Sequence, residues 1–264
     1  MKIHVLTENT RTREDLQAEH GLSLLIEACG QRILFDTGAS AAFAENAEKM
    51  GIDLRAVDVC VLSHGHYDHG GGLSHFLQLN NQAAVWVSPH AFDPHFNANG
   101  KNIGLSQLES NGARVLVPGQ DVTVLSLGVA LHRAQTMHTP YAASGQGMTA
   151  VINGERVPDD FRHEQYLLVE ENGVRILFSG CSHRGVLNIV TYFRPDVLVG
   201  GFHFMKCRAG ADDAELRAAA EHLLRLPTRY YTGHCTGDYA CSILKPLMGE
   251  RMQMFSTGDV LTIV

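Results

Sequence analysis

The chain has 264 residues, 45% of them hydrophobic and 19% charged, with only 8 prolines, a composition that supports a large core and excludes a disordered polymer. Its 21 basic and 28 acidic residues give a formal charge of −7, and with no run of Lys or Arg to track a phosphate backbone, nucleic acid is not an expected partner. The first residues meet Thr7, Glu8 and Asn9 too soon for a signal peptide and no 18-residue apolar run offers a membrane span, so the expectation is a cytoplasmic protein with no membrane partner, built as a single domain over 1–264.

Residues 3–6, 22–27 and 33–35 read as short strands, the last two separated by the tight connection Cys29-Gly30-Gln31. Phe43, Ala47 and Met50 then recur at helical spacing until Gly51 supplies a stop. Residues 57–62 form an apolar run with the character of a strand buried on both faces, and Cys60 within it reads as core. The six cysteines contain no CxxC pair and are too sparse for a disulfide framework, so reduced thiols are expected.

Leu73, Phe76 and Leu77 suggest a helix, and 84–87 and 114–117 suggest strands separated by an Asn/Gly-rich loop at 97–104. The β-like pattern of 122–134 gives way to 138–163, where Gly, Pro, Ser and Asp mix without sustained periodicity and predict a long connection. In the last third three strands each run into a polar cluster: 174–178 into Ser179-Gly180-Cys181-Ser182-His183, 197–199 into Gly200-Gly201-Phe202-His203, and 229–232 into Gly233-His234-Cys235. Asp212 and Glu215 have capping-box spacing ahead of a helix whose apolar face is Leu216, Ala219, Ala220, Leu223 and Leu224, ending before Pro227. Strands alternating with helices predict a layered α/β architecture.

The chemistry concentrates where the strand at 57–62 ends, in Ser63-His64-Gly65-His66-Tyr67-Asp68-His69 followed by three glycines. On extended backbone His64 and His66, two residues apart, point the same way and can present imidazoles to one ion. Asp68 and His69 follow at once, giving four potential ligands within six residues. Three imidazoles and a carboxylate crowded together repel when the imidazoles are protonated, whereas a cation rewards the neutral imidazoles and the ionised carboxylate. No GxSxG elbow and no GxxxxGK[ST] phosphate loop compete with this centre.

His64-Gly65-His66-Tyr67-Asp68-His69 resembles the HxHxDH signature of the metallo-β-lactamase-fold superfamily. The blocks 21–25 and 33–38, with Gly180-Cys181-Ser182-His183-Arg184-Gly185, Gly201-Phe202-His203 and Gly233-His234-Cys235-Thr236-Gly237, are similar to the branch that includes the archaeal dihydropterin-ribofuranosylaminobenzene-phosphate synthase. The resemblance spans nearly the whole chain, with the middle section least diagnostic. It implies a four-layer αββα sandwich of two similar halves and two divalent metal ions, zinc first with manganese or iron as alternatives. One ion would be held by His64, His66 and either His183, the preferred choice, or His138. The other would be held by Asp68, His69 and a late histidine best matched by His234. The sequence departs from the superfamily's Phe-Ser-Gly-Asp pattern, since Phe178-Ser179-Gly180 is followed by Cys181: either a thiolate ligand or an inert buried thiol. Asp36 would orient the histidine loop from behind.

The implied activity is that of a metal-dependent hydrolase, or an enzyme of a related polar displacement, acting on a small phosphorylated or ester-like metabolite that the resemblance permits to be pterin-related. Asp68 would partner the nucleophilic water and His203 would contact substrate, donate a proton or simply pack. Arg184, Lys206 and Arg208 are the candidates to bind an anionic substrate. A metal-stabilised binding or regulatory module and a di-iron redox protein are the other classes open to these residues. The histidines at 4, 20, 75, 90, 95, 132, 163 and 222 have no ligand spacing among themselves and are expected at the surface or in hydrogen bonds.

Overall fold

The computed structural model describes residues 1–106 and 114–263. Its strands in chain order are β1 (Lys2–Thr7), β2 (Ser23–Ala28), β3 (Gln31–Phe35), β4 (Val59–Val61), β5 (Ala84–Trp86), β6 (His95–Phe96), β7 (Val115–Leu116), β8 (Val122–Ser126), β9 (Val129–His132), β10 (Thr149–Ile152), β11 (Glu155–Pro158), β12 (Tyr166–Glu171), β13 (Val174–Phe178), β14 (Val197–Val199), β15 (Arg229–Thr232), β16 (Met252–Met254) and β17 (Val260–Thr262). The helices are α1 (Ala42–Lys49), α2 (Tyr67–Gly70), α3 (Leu73–Leu79), α4 (Val186–Phe193), α5 (Asp213–Leu224) and α6 (Asp238–Met248). None of the described helices is long and apolar enough to cross a membrane.

Two seven-stranded sheets carry the fold, ordered β17-β1-β2-β3-β4-β5-β7 and β16-β15-β14-β13-β12-β9-β8. The halves repeat one another. β2 and β3 form an antiparallel hairpin and β3 continues parallel into β4 and β5, just as β12 and β13 form a hairpin and β13 continues parallel into β14 and β15. Both hairpins turn on two residues in the left-handed region, Cys29-Gly30 (φ 51° and 72°) and Asn172-Gly173 (φ 52° and 78°), the backbone that matches the twist of the paired strands.

Alternation along the strands sets the layers. Ile3, Leu24, Ile33, Phe35 and Val61 of one sheet meet Leu167, Val169, Ile176, Phe178 and Val199 of the other in one apolar layer, with the Phe35 and Phe178 rings 5.6 Å apart. The opposite face of the first sheet, with Leu25, Leu34 and Cys60, is covered by Phe43 and Ala47 of α1 and Phe76 and Leu77 of α3. The opposite face of the second, with Leu177, Leu198 and Tyr230, is covered by α4, α5 and α6. Helix, sheet, sheet and helix therefore stack as the expected four-layer sandwich.

The connection expected at 138–163 is more structured than its composition suggests. It contains β10 and β11, joined at Asn153-Gly154 (φ 53° and 83°), and β10 also pairs with β6 to make a third, three-stranded sheet. The capping box expected at α5 is absent: the Asp212 carboxylate accepts from Arg208 N at 2.6 Å and makes no cap bond to the helix.

Candidate metal centre

Each parallel strand ends in a turn that carries polar side chains to one rim of the sandwich, the place where layered α/β proteins assemble sites. β3 delivers Asp36, β4 delivers Ser63 to His69, β13 delivers Cys181 and His183, β14 delivers His203 and β15 delivers His234. Two ligand sets gather there, His64 with His66 and His183, and Asp68 with His69, Cys181 and His234, the potential ligand atoms of each set lying within 4.8 Å of one another. All seven residues are buried, at 8% exposure or less. His138 is exposed and stands outside both sets, so the structure brings His183, the preferred alternative, to the first.

Hydrogen bonding fixes which nitrogen each imidazole can offer. Ser63 donates its backbone N–H and its hydroxyl to the two oxygens of Asp36, at 2.6 and 2.7 Å. Having spent its hydrogen, Ser63 Oγ is left to accept from His64 Nδ1 at 2.8 Å. His69 donates from Nδ1 to Asp36 Oδ2 at 2.7 Å, and His234 donates from Nδ1 to Asn9 Oδ1 at 2.9 Å. In the neutral imidazole one nitrogen donates and the other carries a lone pair, so Nε2 of His64, His69 and His234 are all bare. His69 Nε2 nevertheless lies 3.2 Å from His234 Nε2 and 3.1 Å from Cys181 Sγ, and His64 Nε2 lies 3.3 Å from His183 Nε2. The lone pairs of His69 and His234 face each other at a distance where they repel unless a cation sits between them, Nε2 of His66 is buried without a partner, and the donor chemistry of the two sets, imidazole, carboxylate and thiol, fits zinc or a similar divalent ion.

The electrostatics agree. Burial, and after it the neighbouring imidazoles, holds His64 and His183 well below the usual histidine range, and burial followed by His163 does the same to His66. Burial pushes against ionisation of Asp68, yet His69 and His234 outweigh it and keep the carboxyl below its ordinary range. Burial raises the Cys181 thiol, so only a cation beside it would hold it as thiolate.

Buried carboxylates hold the late histidines by their backbones. Glu8 Oε1 accepts from His234 N at 2.6 Å, and Glu164 Oε1 accepts from His183 N at 2.6 Å. Glu8, Asn9 and Glu164 escape a reading of the sequence because each contacts a partner remote in the chain and sits in no local motif. His20 is exposed, as expected, and also stacks on His234 with centroids 4.8 Å apart and brings Nε2 to 3.4 Å from Asp68.

His203 packs against His183, ring centroids 4.4 Å apart, and lines a cavity of about 610 Å³ together with Lys206, Phe204, Tyr141, Val186 and Ala218. Burial, Lys206 and His234 push its pKa down to about 4, which favours the neutral, hydrogen-bonding form at neutral pH. Lys206 lines this cavity. Arg184 does not reach this cavity: its guanidinium donates to the carbonyls of Arg133 and Ala134 at 3.3 and 2.8 Å and lines a separate cleft with Arg133 and Arg162. Arg208 is exposed, paired with Asp212, and also outside the cavity lining.

A family model described as the metallo-beta-lactamase superfamily matches residues 16–157. The chain is 27% identical over 292 residues to 7,8-dihydropterin-6-methyl-4-(beta-D-ribofuranosyl)-aminobenzene-5'-phosphate synthase of Methanocaldococcus jannaschii, covering 99% of this chain and 96% of that protein. It is 26% identical over 255 residues to an uncharacterized protein of the same organism, covering 93% and 94%. Among solved structures it is similar to Tm1679, a metal-dependent hydrolase of the beta-lactamase superfamily, with a TM-score of 0.84, 28% identity and coverage of 100% of this chain and 99% of that one.

Proposed function

Because the chain belongs to the metallo-beta-lactamase superfamily, we propose that it is a metal-dependent hydrolase, or an enzyme of a related polar displacement, acting on a small anionic metabolite with a phosphoryl or ester-like reacting group. The observation that carries this reading is the bare, facing imidazoles of His69 and His234, with the unpartnered Nε2 of His66 in the neighbouring set, beside a ligand-sized cavity. His64, His66 and His183 would hold one divalent ion, and Asp68, His69, Cys181 and His234 a second, with zinc favoured by the thiol and imidazole donors. Divalent ions in such a site acidify water toward neutral pH and offset the charge that develops on an attacked group.

The chain's own residues do the rest. Asp68, kept ionised by His69 and His234, accepts a hydrogen bond from the attacking water and orients it. Lys206 offsets substrate charge at the cavity mouth, and neutral His203 hydrogen-bonds the substrate without adding a second charge. The cavity's mixed walls suit the organic part of a metabolite, which is where the pterin-related substrate expectation belongs.

A second reading has a specific support: the 27%-identical relative is named a synthase, so the water's place can be taken by another nucleophile in a displacement at the same centre. Elemental analysis of purified protein, of His66→Ala and of His234→Ala is the first test, followed by phosphomonoester and phosphodiester assays with the metal found. Near two metals per chain, reduced in both variants, with metal-dependent ester cleavage, supports the hydrolase. Metal without turnover of any ester directs the search to synthase chemistry. No metal after reconstitution with zinc, manganese or iron overturns both.

A further inference from the structure

His66 stands in two clusters at once. Beside the set it forms with His64 and His183, it lies with His95, Asp159 and His163 in a third group whose potential ligand atoms are again within 4.8 Å of one another. His66, His95 and His163 are 3%, 1% and 0% exposed, and the Asp159 side chain is 1% exposed. Nε2 of both His66 and His163 is buried without a hydrogen-bond partner.

The donor chemistry argues against a third ion here. His163 Nδ1 accepts the Gly65 backbone N–H at 2.9 Å, which places the hydrogen of the neutral ring on Nε2, where the nearest acceptor is Asp159 Oδ2 at 3.5 Å. His95 faces acceptors at both nitrogens, Asp159 Oδ2 at 2.9 Å and the His90 carbonyl at 3.2 Å. His163 thus has no lone pair free for a cation, and both nitrogens of His95 are turned toward protein acceptors. What remains is a chain of polar contacts that runs from His90 through His95 to Asp159, which stands 3.5 Å from His163 Nε2, and from His163 to the peptide between two of the proposed ligands.

That peptide is held from two sides. A Cβ on Gly65 would come within 2.3 Å of the Ala91 carbonyl oxygen, so the His64–His66 loop is pressed against the 91 backbone while His163 grips its N–H. The unit is itself anchored: His95 pairs with Ala150 across β6 and β10, and its carbonyl accepts from Ile103 N at 2.8 Å while the Ile103 carbonyl accepts from Tyr67 N at 2.9 Å.

Resting on the reading that His64, His66 and His183 hold a metal ion, we propose that His163, held by Asp159 and His95, is a positioning residue for that first site. Its Nδ1 fixes the Gly65 peptide and so the angle at which His64 and His66 present their rings. The hairpin between 138 and 163 thereby becomes part of the metal centre without contacting the ion.

The test is zinc affinity, measured by competition with a chromophoric chelator, with His64→Ala and His234→Ala assigning the two sites. His163→Phe keeps a ring but loses the acceptor, and is expected to weaken the first site by about 10–100-fold while leaving the second unchanged. His163→Asn sets an oxygen near the place of Nδ1 and should recover most of the loss, whereas His163→Gln sets it near Nε2 and should not. First-site affinity in His163→Phe equal to wild type, or equal affinity in the Asn and Gln variants, overturns the proposal. Should His163→Phe fail to fold by circular dichroism, the Asn and Gln comparison decides alone. Wild-type protein that binds no metal would instead overturn the reading of the site itself.

Discussion

Asp36 Oδ2 accepts from His69 Nδ1 at 2.7 Å, and the same oxygen accepts the Ser63 hydroxyl at 2.7 Å. Through Ser63 this one carboxylate also sets the tautomer of His64, so it prepares one imidazole for each of the two ligand sets. Asp36 does so from a left-handed backbone (φ 61°), a conformation that costs a non-glycine residue free energy and persists because Ser63 and His69 hold it. Asp36→Asn keeps the shape but offers an amide N–H where Oδ2 now accepts, or leaves Ser63 N with a donor for a partner. It is expected to weaken zinc at both sites by about 10–100-fold. Loss at one site only, in a two-site titration, would contradict the shared role.

Cys181 occupies the position where the sequence departs from its family's aspartate, and its Sγ lies 3.1 Å from His69 Nε2. If the thiol is a ligand, Cys181→Ser should lower second-site metal and abolish thiolate-to-metal charge-transfer absorption in cobalt-loaded protein, with the first site intact. A packing thiol would leave metal content and spectrum unchanged, costing only a little stability.

How much of this was readable in advance follows from where each contact partner lies in the chain. His64, His66, Asp68 and His69 declare themselves because four ligands share one loop at a strand end, and His183 and His234 because each follows a strand in the same way. The layers were readable from strand and helix alternation. His163, Asp159, Glu164 and Glu8 were not, because their significance lies in contacts to Gly65, His95, His183 and His234, up to 226 residues away, and a lone polar residue carries no periodicity. The hairpin of β10 and β11 did carry a local signal in Asn153-Gly154. Its strands are short and partly exposed, so the turn stood without the flanking alternation that makes a hairpin legible.

Acid should destabilise the metal-free fold. His64, His66 and His183 have pKa values well below the ordinary 6.5, burial being the first cause, so the unfolded chain takes up protons at these positions before the folded one does. Their contribution is fully present above 6.5 and is lost as pH falls toward the folded values; Asp68, also lowered, acts in the same direction at lower pH. His69, raised despite burial by Asp36 and Asp68, and Glu164, raised by its burial, work oppositely, but His163 and His203, lowered first by burial, join His64, His66 and His183. The urea midpoint of metal-depleted protein should therefore fall steadily from pH 7 to 5, with a shallower slope in His183→Gln. A midpoint that rises over this interval would contradict the neutral-histidine account.

The cavity beside His203 can be tested without touching any proposed ligand. Ala218 is exposed on α5 and lines it, so Ala218→Trp adds bulk to the cavity with little expected effect on folding. If the organic part of the substrate sits there, KM for phosphoesters with large leaving groups should rise by about tenfold, the effect of losing ~1.4 kcal/mol of binding, while small esters and metal content are unaffected. A uniform loss of kcat for large and small esters alike would place the disturbance at the metal centre, and no change for either would remove the cavity from the substrate path.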